Sequence, residues 1–135
     1  MHNNNPKTIL VIEDDKSLSR IIILKLKDFG YKVLASEDAE GAFEILQKNK
    51  PDLIWLDIYL PGMNGLEFLE HLRKNPETKD IKVVIVSVSG SNKKMELAEK
   101  FNVSDYFVKS NYRIDELVGL VTKIVNGHSD GKPEE

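Results

Sequence analysis

Short apolar runs alternate with amphipathic stretches along the whole chain. Thr8-Ile9-Leu10-Val11-Ile12, Tyr31-Lys32-Val33-Leu34-Ala35, Asp52 to Asp57, Ile81 to Val88 and Tyr106-Phe107-Val108 are apolar, rich in β-branched residues, and bounded by charge, Gly or Pro. Such runs predict five strands. Between them, apolar residues recur at helical spacing. Leu18, Ile21, Ile22, Leu26 and Phe29 mark a first helix that starts near Ser17 and stops at Gly30, and Ala39, Ala42, Phe43, Ile45 and Leu46 mark a second closed by Asn49-Lys50-Pro51. Leu66, Phe68, Leu69 and Leu72 predict a third, broken by Pro76 and Thr78. Met95, Leu97, Ala98 and Phe101 give a sparser fourth, and Leu117, Val118, Val121, Ile124 and Val125 a fifth.

Strict strand-helix alternation implies parallel strands joined by right-handed crossovers, which wrap helices over both faces of one sheet. The expected fold class is therefore α/β: a doubly wound five-stranded parallel sheet in the flavodoxin-like order 2-1-3-4-5. In that order the switch point lies between strands one and three, at their carboxyl ends. The expected domain covers residues 7–126, with 1–6 and 127–135 as flexible tails and no output domain.

Composition narrows the function classes. The 135 residues are 41% apolar and 30% charged, with a net charge of −3, interspersed signs and no cysteine. No basic stripe is present to displace counterions from nucleic acid, so no direct nucleic-acid contact is expected. No apolar run approaches the roughly 20 residues of a bilayer span, and the amino end lacks signal-peptide order. The expected location is the cytoplasm, away from membranes. Without Cys there is no disulfide framework, thiolate nucleophile or Cys-based metal site.

The candidate chemistry gathers at strand ends. Strand one runs into Glu13-Asp14-Asp15, and strand three delivers Asp57 to a Pro61-Gly62-Met63-Asn64-Gly65 loop. Carboxylates meeting at one sheet edge repel each other, and a divalent cation with oxygen ligands relieves the repulsion. Mg2+ fits, taking one or two carboxylates and a backbone carbonyl such as that of Tyr59. Phosphoryl transfer needs little beyond in-line positioning and charge neutralisation, so Asp57 is the candidate nucleophile for an aspartyl phosphate. Ser87 at the tip of strand four and Lys109 at the tip of strand five add a hydroxyl and an ammonium suited to phosphoryl oxygens.

Glu13-Asp14, Leu56-Asp57, Leu60-Pro61-Gly62-Met63-Asn64-Gly65, Ser87 and Asp105-Tyr106-Phe107-Val108-Lys109 resemble the receiver domain of two-component response regulators. The resemblance spans about residues 7–126. It implies a stand-alone, chemotaxis-regulator-like switch that accepts a phosphoryl group on Asp57 from a phosphohistidine of a sensor histidine kinase or histidine phosphotransfer protein. It further implies Mg2+ held by Asp14, Asp57 and, through water, Glu13, with Asp15 a neighbour rather than a ligand. Ser87 and Lys109 would grip the phosphate while Tyr106 rotates inward as Ser87 moves, changing a readout surface of helix four, strand five and helix five. Output would pass to a downstream protein partner, to a homodimer formed through that surface, or onward by phosphorelay. The protein would not be an enzyme beyond its own phosphorylation and slow acyl-phosphate hydrolysis.

The sequence departs from the family pattern in two places. Ser110 follows Lys109 where the family has proline after a cis bond; because a non-proline cis bond costs about 2.5–4 kcal/mol, a trans Lys109-Ser110 peptide and a rearranged loop are expected. Val88 stands where the family prefers a small residue and is expected to crowd the mouth of the site. Helix one also carries more apolar residues than one face holds: Ile23 and Leu24 fall outside the arc of Leu18, Ile22, Leu26 and Phe29, while Lys25 falls inside it. A rotated helix with a snorkelling Lys25 accounts for this, and a docking patch for a kinase or phosphotransfer helix is the alternative.

Three other functions share parts of this pattern. An aspartyl-nucleophile phosphatase would carry an acid two residues beyond the nucleophile, where Tyr59 stands. A flavin or dinucleotide carrier needs a Gly- or Ser/Thr-rich phosphate loop after strand one, where Glu13-Asp14-Asp15 would repel phosphate. A receiver-like protein-binding module independent of phosphorylation would keep the fold and lose the chemistry.

Overall fold

A computed structural model describes residues 6–127. The expected tails fall outside the described residues except for Pro6 and Gly127. Five parallel strands, β1 (Thr8–Ile12), β2 (Lys32–Ser36), β3 (Leu53–Leu56), β4 (Lys82–Ser87) and β5 (Asp105–Val108), lie in the order β2-β1-β3-β4-β5. Five α-helices connect and follow them: α1 (Lys16–Asp28), α2 (Ala39–Lys48), α3 (Gly65–Lys74), α4 (Asn92–Lys100) and α5 (Ile114–Val125). This is the expected doubly wound, flavodoxin-like arrangement.

Alternation along the strands sorts the core into two layers. Ile9, Val11, Trp55, Val84, Val86 and Phe107 face α1 and α5, whereas Leu10, Ile12, Ile54, Leu56, Val83 and Ile85 face α2, α3 and α4. The three central strands are buried on both sides, which is why β1, β3 and β4 read as unbroken apolar runs.

Local chemistry sets the helix ends. Asp15, one of the acids just before Ser17, caps α1, its Oδ1 accepting from the Leu18 amide at 3.1 Å. Gly30, at φ +95°, allows the left-handed turn that closes this helix. Asn64 and Glu67 form a reciprocal capping box at the start of α3. Beyond the end of α3, the Thr78 hydroxyl donates to the Leu72 carbonyl at 2.7 Å.

The first helix corrects the expected arc. Ile22 and Leu26 are buried and Leu18 is half-buried, but Ile21 and Phe29 are 45% and 54% exposed, and neither belongs to the core. Lys25 is placed by an ion pair rather than by snorkelling alone: its Nζ lies 2.6 Å from Asp115 Oδ1 in the first turn of α5. Docking of α1 against α5 fixes its rotation, and a two-residue stripe is enough to anchor it to the sheet. Helix α4 is the least embedded, with Ala98 its single buried residue.

Candidate functional site

Strand register carries the site. Ile12 pairs with Leu56, so the next residues, Glu13 and Asp57, emerge side by side at the carboxyl edge of the sheet. The Asp57 amide donates to the Ile12 carbonyl at 3.1 Å, extending the ladder by one step. Ser87 pairs with Val108, which brings Lys109 out beside the end of β4. These positions lie at the switch point between β1 and β3, where ligands bind in open α/β sheets.

The loop after β3 holds Asp57 from behind. Asp57 Oδ1 accepts from the Tyr59 amide at 3.0 Å, and the Gly65 amide donates to the Ile58 carbonyl at 2.7 Å. Gly65 is required by close approach: a Cβ there would collide with the Asp57 carbonyl oxygen and lie 2.7 Å from Ile58 Cα.

Carboxylate oxygens of Glu13, Asp14 and Asp57 all lie within 4.8 Å of one another. Glu13 and Asp57 are buried and Asp14 is exposed. Lys109 bridges the two buried acids, with Nζ 2.8 Å from Glu13 Oε1 and 3.3 Å from Asp57 Oδ2. Burial pushes both carboxyl groups above the ordinary carboxylate range, and the ammonium opposes that rise without cancelling it. For Lys109, burial works against its charge, but the hydrogen bond to Glu13 and the fields of Asp57 and Glu13 outweigh it and raise its pKa.

The donor set suits a hard divalent cation. Three carboxylates against one ammonium leave a formal charge of −2 (−3 + 1) in one pocket of oxygen ligands. Ser87 Oγ is fully buried at the adjacent strand end and has no hydrogen-bond partner among the described residues. A buried hydroxyl without a partner costs free energy, so an oxygen acceptor arriving at this edge would satisfy it.

The remaining expected residues surround this pocket. Tyr106 is half-buried and donates its hydroxyl to the Ser89 carbonyl at 2.7 Å. The Lys109-Ser110 peptide is trans, as expected, since no described residue carries a cis bond; Lys109–Asn111 wind one 3-10 turn before α5. Val88 is 61% exposed. Asp15 serves as a helix cap, and its amide donates to Glu13 Oε2 at 3.1 Å. Sequence reasoning missed Ser89 and Lys94. Ser89 bonds the Tyr59 hydroxyl at 2.8 Å, and Lys94 Nζ stands 4.1 Å from the centre of the Tyr59 ring. The signal for Ser89 was its spacing, two residues past Ser87 as Tyr59 is two past Asp57.

Among the described residues no helix is long and apolar enough to cross a membrane. Comparison with known proteins agrees with the geometry. The chain is 30% identical over 129 residues to the phosphate regulon transcriptional regulatory protein PhoB of Escherichia coli (strain K12), a match covering 96% of this chain and 56% of PhoB. The chain thus spans about half the length of that relative. It is 32% identical over 117 residues to response regulator Rcp1 of Synechocystis sp. (strain ATCC 27184 / PCC 6803 / Kazusa), covering 80% of each. The solved Mn2+-bound form of response regulator Rcp1 superposes with a TM-score of 0.77 at 28% identity, over 96% of this chain and 99% of that one. The phosphorylated cyanobacterial phytochrome response regulator RcpA superposes with a TM-score of 0.77 at 29% identity, over 89% and 91%. Residues 9–122 match the family model described as the response regulator receiver domain, and the chain therefore belongs to that family of two-component signalling switches.

Proposed function

We propose that the protein is a phosphorylation-activated switch whose acceptor is Asp57. The phosphoryl group would come from a phosphohistidine of a sensor histidine kinase or histidine phosphotransfer protein. A carboxylate oxygen of Asp57 bonds to phosphorus as the phosphorus-nitrogen bond breaks, and the electron pair leaves with the imidazole. The carboxylate must be ionised to attack. Lys109, 3.3 Å away, opposes the upward push of burial on the Asp57 pKa and so favours the ionised form.

Asp14 and Asp57 would hold Mg2+ directly, Glu13 through a water, and the Tyr59 backbone carbonyl would complete the protein's share of ligands. When bound, the ion neutralises charge on the phosphoryl oxygens. The Ser87 hydroxyl and the Lys109 ammonium then contact those oxygens, which draws Lys109 away from Glu13 and Ser87 towards the site. Movement of Ser87 opens space for Tyr106, and the surface of α4, β5 and α5 changes with it. That surface would bind the downstream protein or a second copy of the chain, the switch working as the unit 7–126 in the cytoplasm. A groove of about 610 Å³ beside α1, lined by Arg20, Ile23 and Leu24 among others, suits the donor protein's helix.

The observation that carries this reading is the meeting of Glu13, Asp14 and Asp57 within 4.8 Å, bridged by Lys109. The test is incubation with Mg2+ and acetyl phosphate, followed by assay for a hydroxylamine-labile adduct. Wild-type protein should form it and Asp57→Asn should not. A wild-type protein that stays unmodified while still binding a protein partner would replace this reading with a phosphorylation-independent module.

A further inference from the structure

The guanidinium of Arg73, in the last turn of α3, binds four main-chain carbonyls. Its Nε donates to the Phe101 carbonyl at 2.6 Å and its Nη2 to that of Asn102 at 3.3 Å. Its Nη1 donates to the carbonyls of Lys79 and Ile81, each at 2.8 Å. Phe101 caps α4, and Asn102, at φ +60°, makes the left-handed turn that leads on to β5. One rigid fork of donors therefore ties the carboxyl end of α4 to the loop that enters β4.

The two ends of α4 are held differently. At the carboxyl end the Arg73 fork is joined by Ala98, the buried residue of the helix, and by Phe101, which packs against the core. From Asn92 to Leu97 no residue is buried. That half is held by its Ser91 cap, by Lys94 Nζ at 4.1 Å from the centre of the Tyr59 ring, and by Met95, which lies against Gly90. Tyr59 and Gly90 stand in the loops that follow β3 and β4, and the Tyr59 amide bonds Asp57 Oδ1. The loosely held half of α4 is thus the half beside the carboxylate cluster, and an element with few buried contacts is displaced at low cost.

We propose that Arg73 is a fulcrum for α4: it fixes the Phe101–Asn102 turn, so that phosphorylation swings the helix about that turn and alters the partner surface at Asn92–Leu97 rather than along its whole length. The inference rests on Asp57 being the acceptor. Arg73 is a positioning residue in this scheme, because its partners precede β4 and β5, at the opposite edge of the sheet from Asp57. Displacement about a fixed end grows with distance from it. At 1.5 Å rise per residue, Lys93 stands about 12 Å along the axis from Phe101 and Lys100 about 1.5 Å, a ratio of roughly eight.

The chain has no cysteine, so introduced thiols can carry nitroxide labels at chosen places. Two exposed positions on α4, Lys93→Cys and Lys100→Cys, are each paired with the exposed Glu44→Cys on α2, and pulsed electron paramagnetic resonance reads both distances. Each pair is measured with Mg2+ alone and with Mg2+ plus acetyl phosphate, the hydroxylamine-labile adduct being assayed on the same samples. With Arg73 intact, the distance from Lys93 should change at least about fourfold more than that from Lys100, as the lever requires. In Arg73→Lys, whose ammonium is a point charge that cannot span the four carbonyls, the two changes should become similar. Equal changes with Arg73 intact, or none at either position while the adduct forms, would overturn the fulcrum whether or not the variant folds. An unaltered ratio in an Arg73→Lys protein that matches wild type in urea denaturation would remove Arg73 from it. Protein that forms no adduct would instead overturn the acceptor assignment.

Discussion

Lys109 Nζ lies 2.8 Å from Glu13 Oε1 across 96 residues of sequence, and from there it also reaches Asp57. One ammonium thus compensates two buried carboxyl groups. In Lys109→Met both acids would stay buried without it, at a cost of about 2 kcal/mol near pH 8. Glu13 and Asp57 already titrate above their unfolded values, so the folded state holds more protons in that window and gains relative stability as pH falls. Removing the ammonium that opposes this rise would lift both acids further, so the variant gains more on acidification than wild type, and the gap between them in urea denaturation should narrow as pH falls from about 8 to about 5.5.

Mg2+ should stabilise the wild-type fold, by about 1.4 kcal/mol at ten times its Kd. Asp14 is the exposed member of the cluster, so its side chain can be changed without opening the core. In Asp14→Asn the metal-free protein should be as stable as wild type or more so, since one of three like charges is gone. The thermal shift on adding Mg2+ should largely disappear. A full shift in the variant would remove Asp14 from the ligand set.

The Lys25–Asp115 pair ties α1 to α5 at 2.6 Å. The hydrogen bond from Lys25, reinforced by its charge, holds the Asp115 carboxyl below its ordinary range. A carboxyl depressed in the folded state adds stability above its unfolded pKa and loses it as pH falls through the folded value. Carboxyl NMR titration should show Asp115 returning to the ordinary range in Lys25→Met, with no change at Asp57.

Gly65→Ala would force a Cβ into the backbone of Asp57 and Ile58. Neither neighbour is a flexible side chain that can move aside. A loss of about 1–3 kcal/mol is expected from overpacking, with slower labelling at Asp57 because the loop behind it shifts. Chemical denaturation and acetyl-phosphate labelling check the two effects separately.

The apolar runs and what terminates them made the sheet legible. Leu10 to Ile12 and Ile54 to Leu56 are buried on both faces, and a strand of that kind has no polar alternative to its sequence. Boundaries slipped by a residue in edge and central strands alike, as at Tyr31 against a β2 that starts at Lys32 and Ile81 against a β4 that starts at Lys82, because strand ends depend on the neighbours they pair with. The rotation of α1 was not legible, because Ile21, Ile22, Ile23 and Leu24 are equally apolar. Only the packing of α1 against the sheet and α5 decides that Ile22 turns inward.

By itself the sequence determined the class of fold and which strand ends carry acid, hydroxyl and ammonium, since periodicity and chain order are local properties. Tertiary structure alone decided that Lys109 binds Glu13 as well as Asp57, that Ser87 Oγ has no hydrogen-bond partner among the described residues, and that Ser89 joins Tyr59 to Tyr106. Each of those relations depends on distances between residues on different strands and loops, which are set when the sheet pairs and the helices close over it.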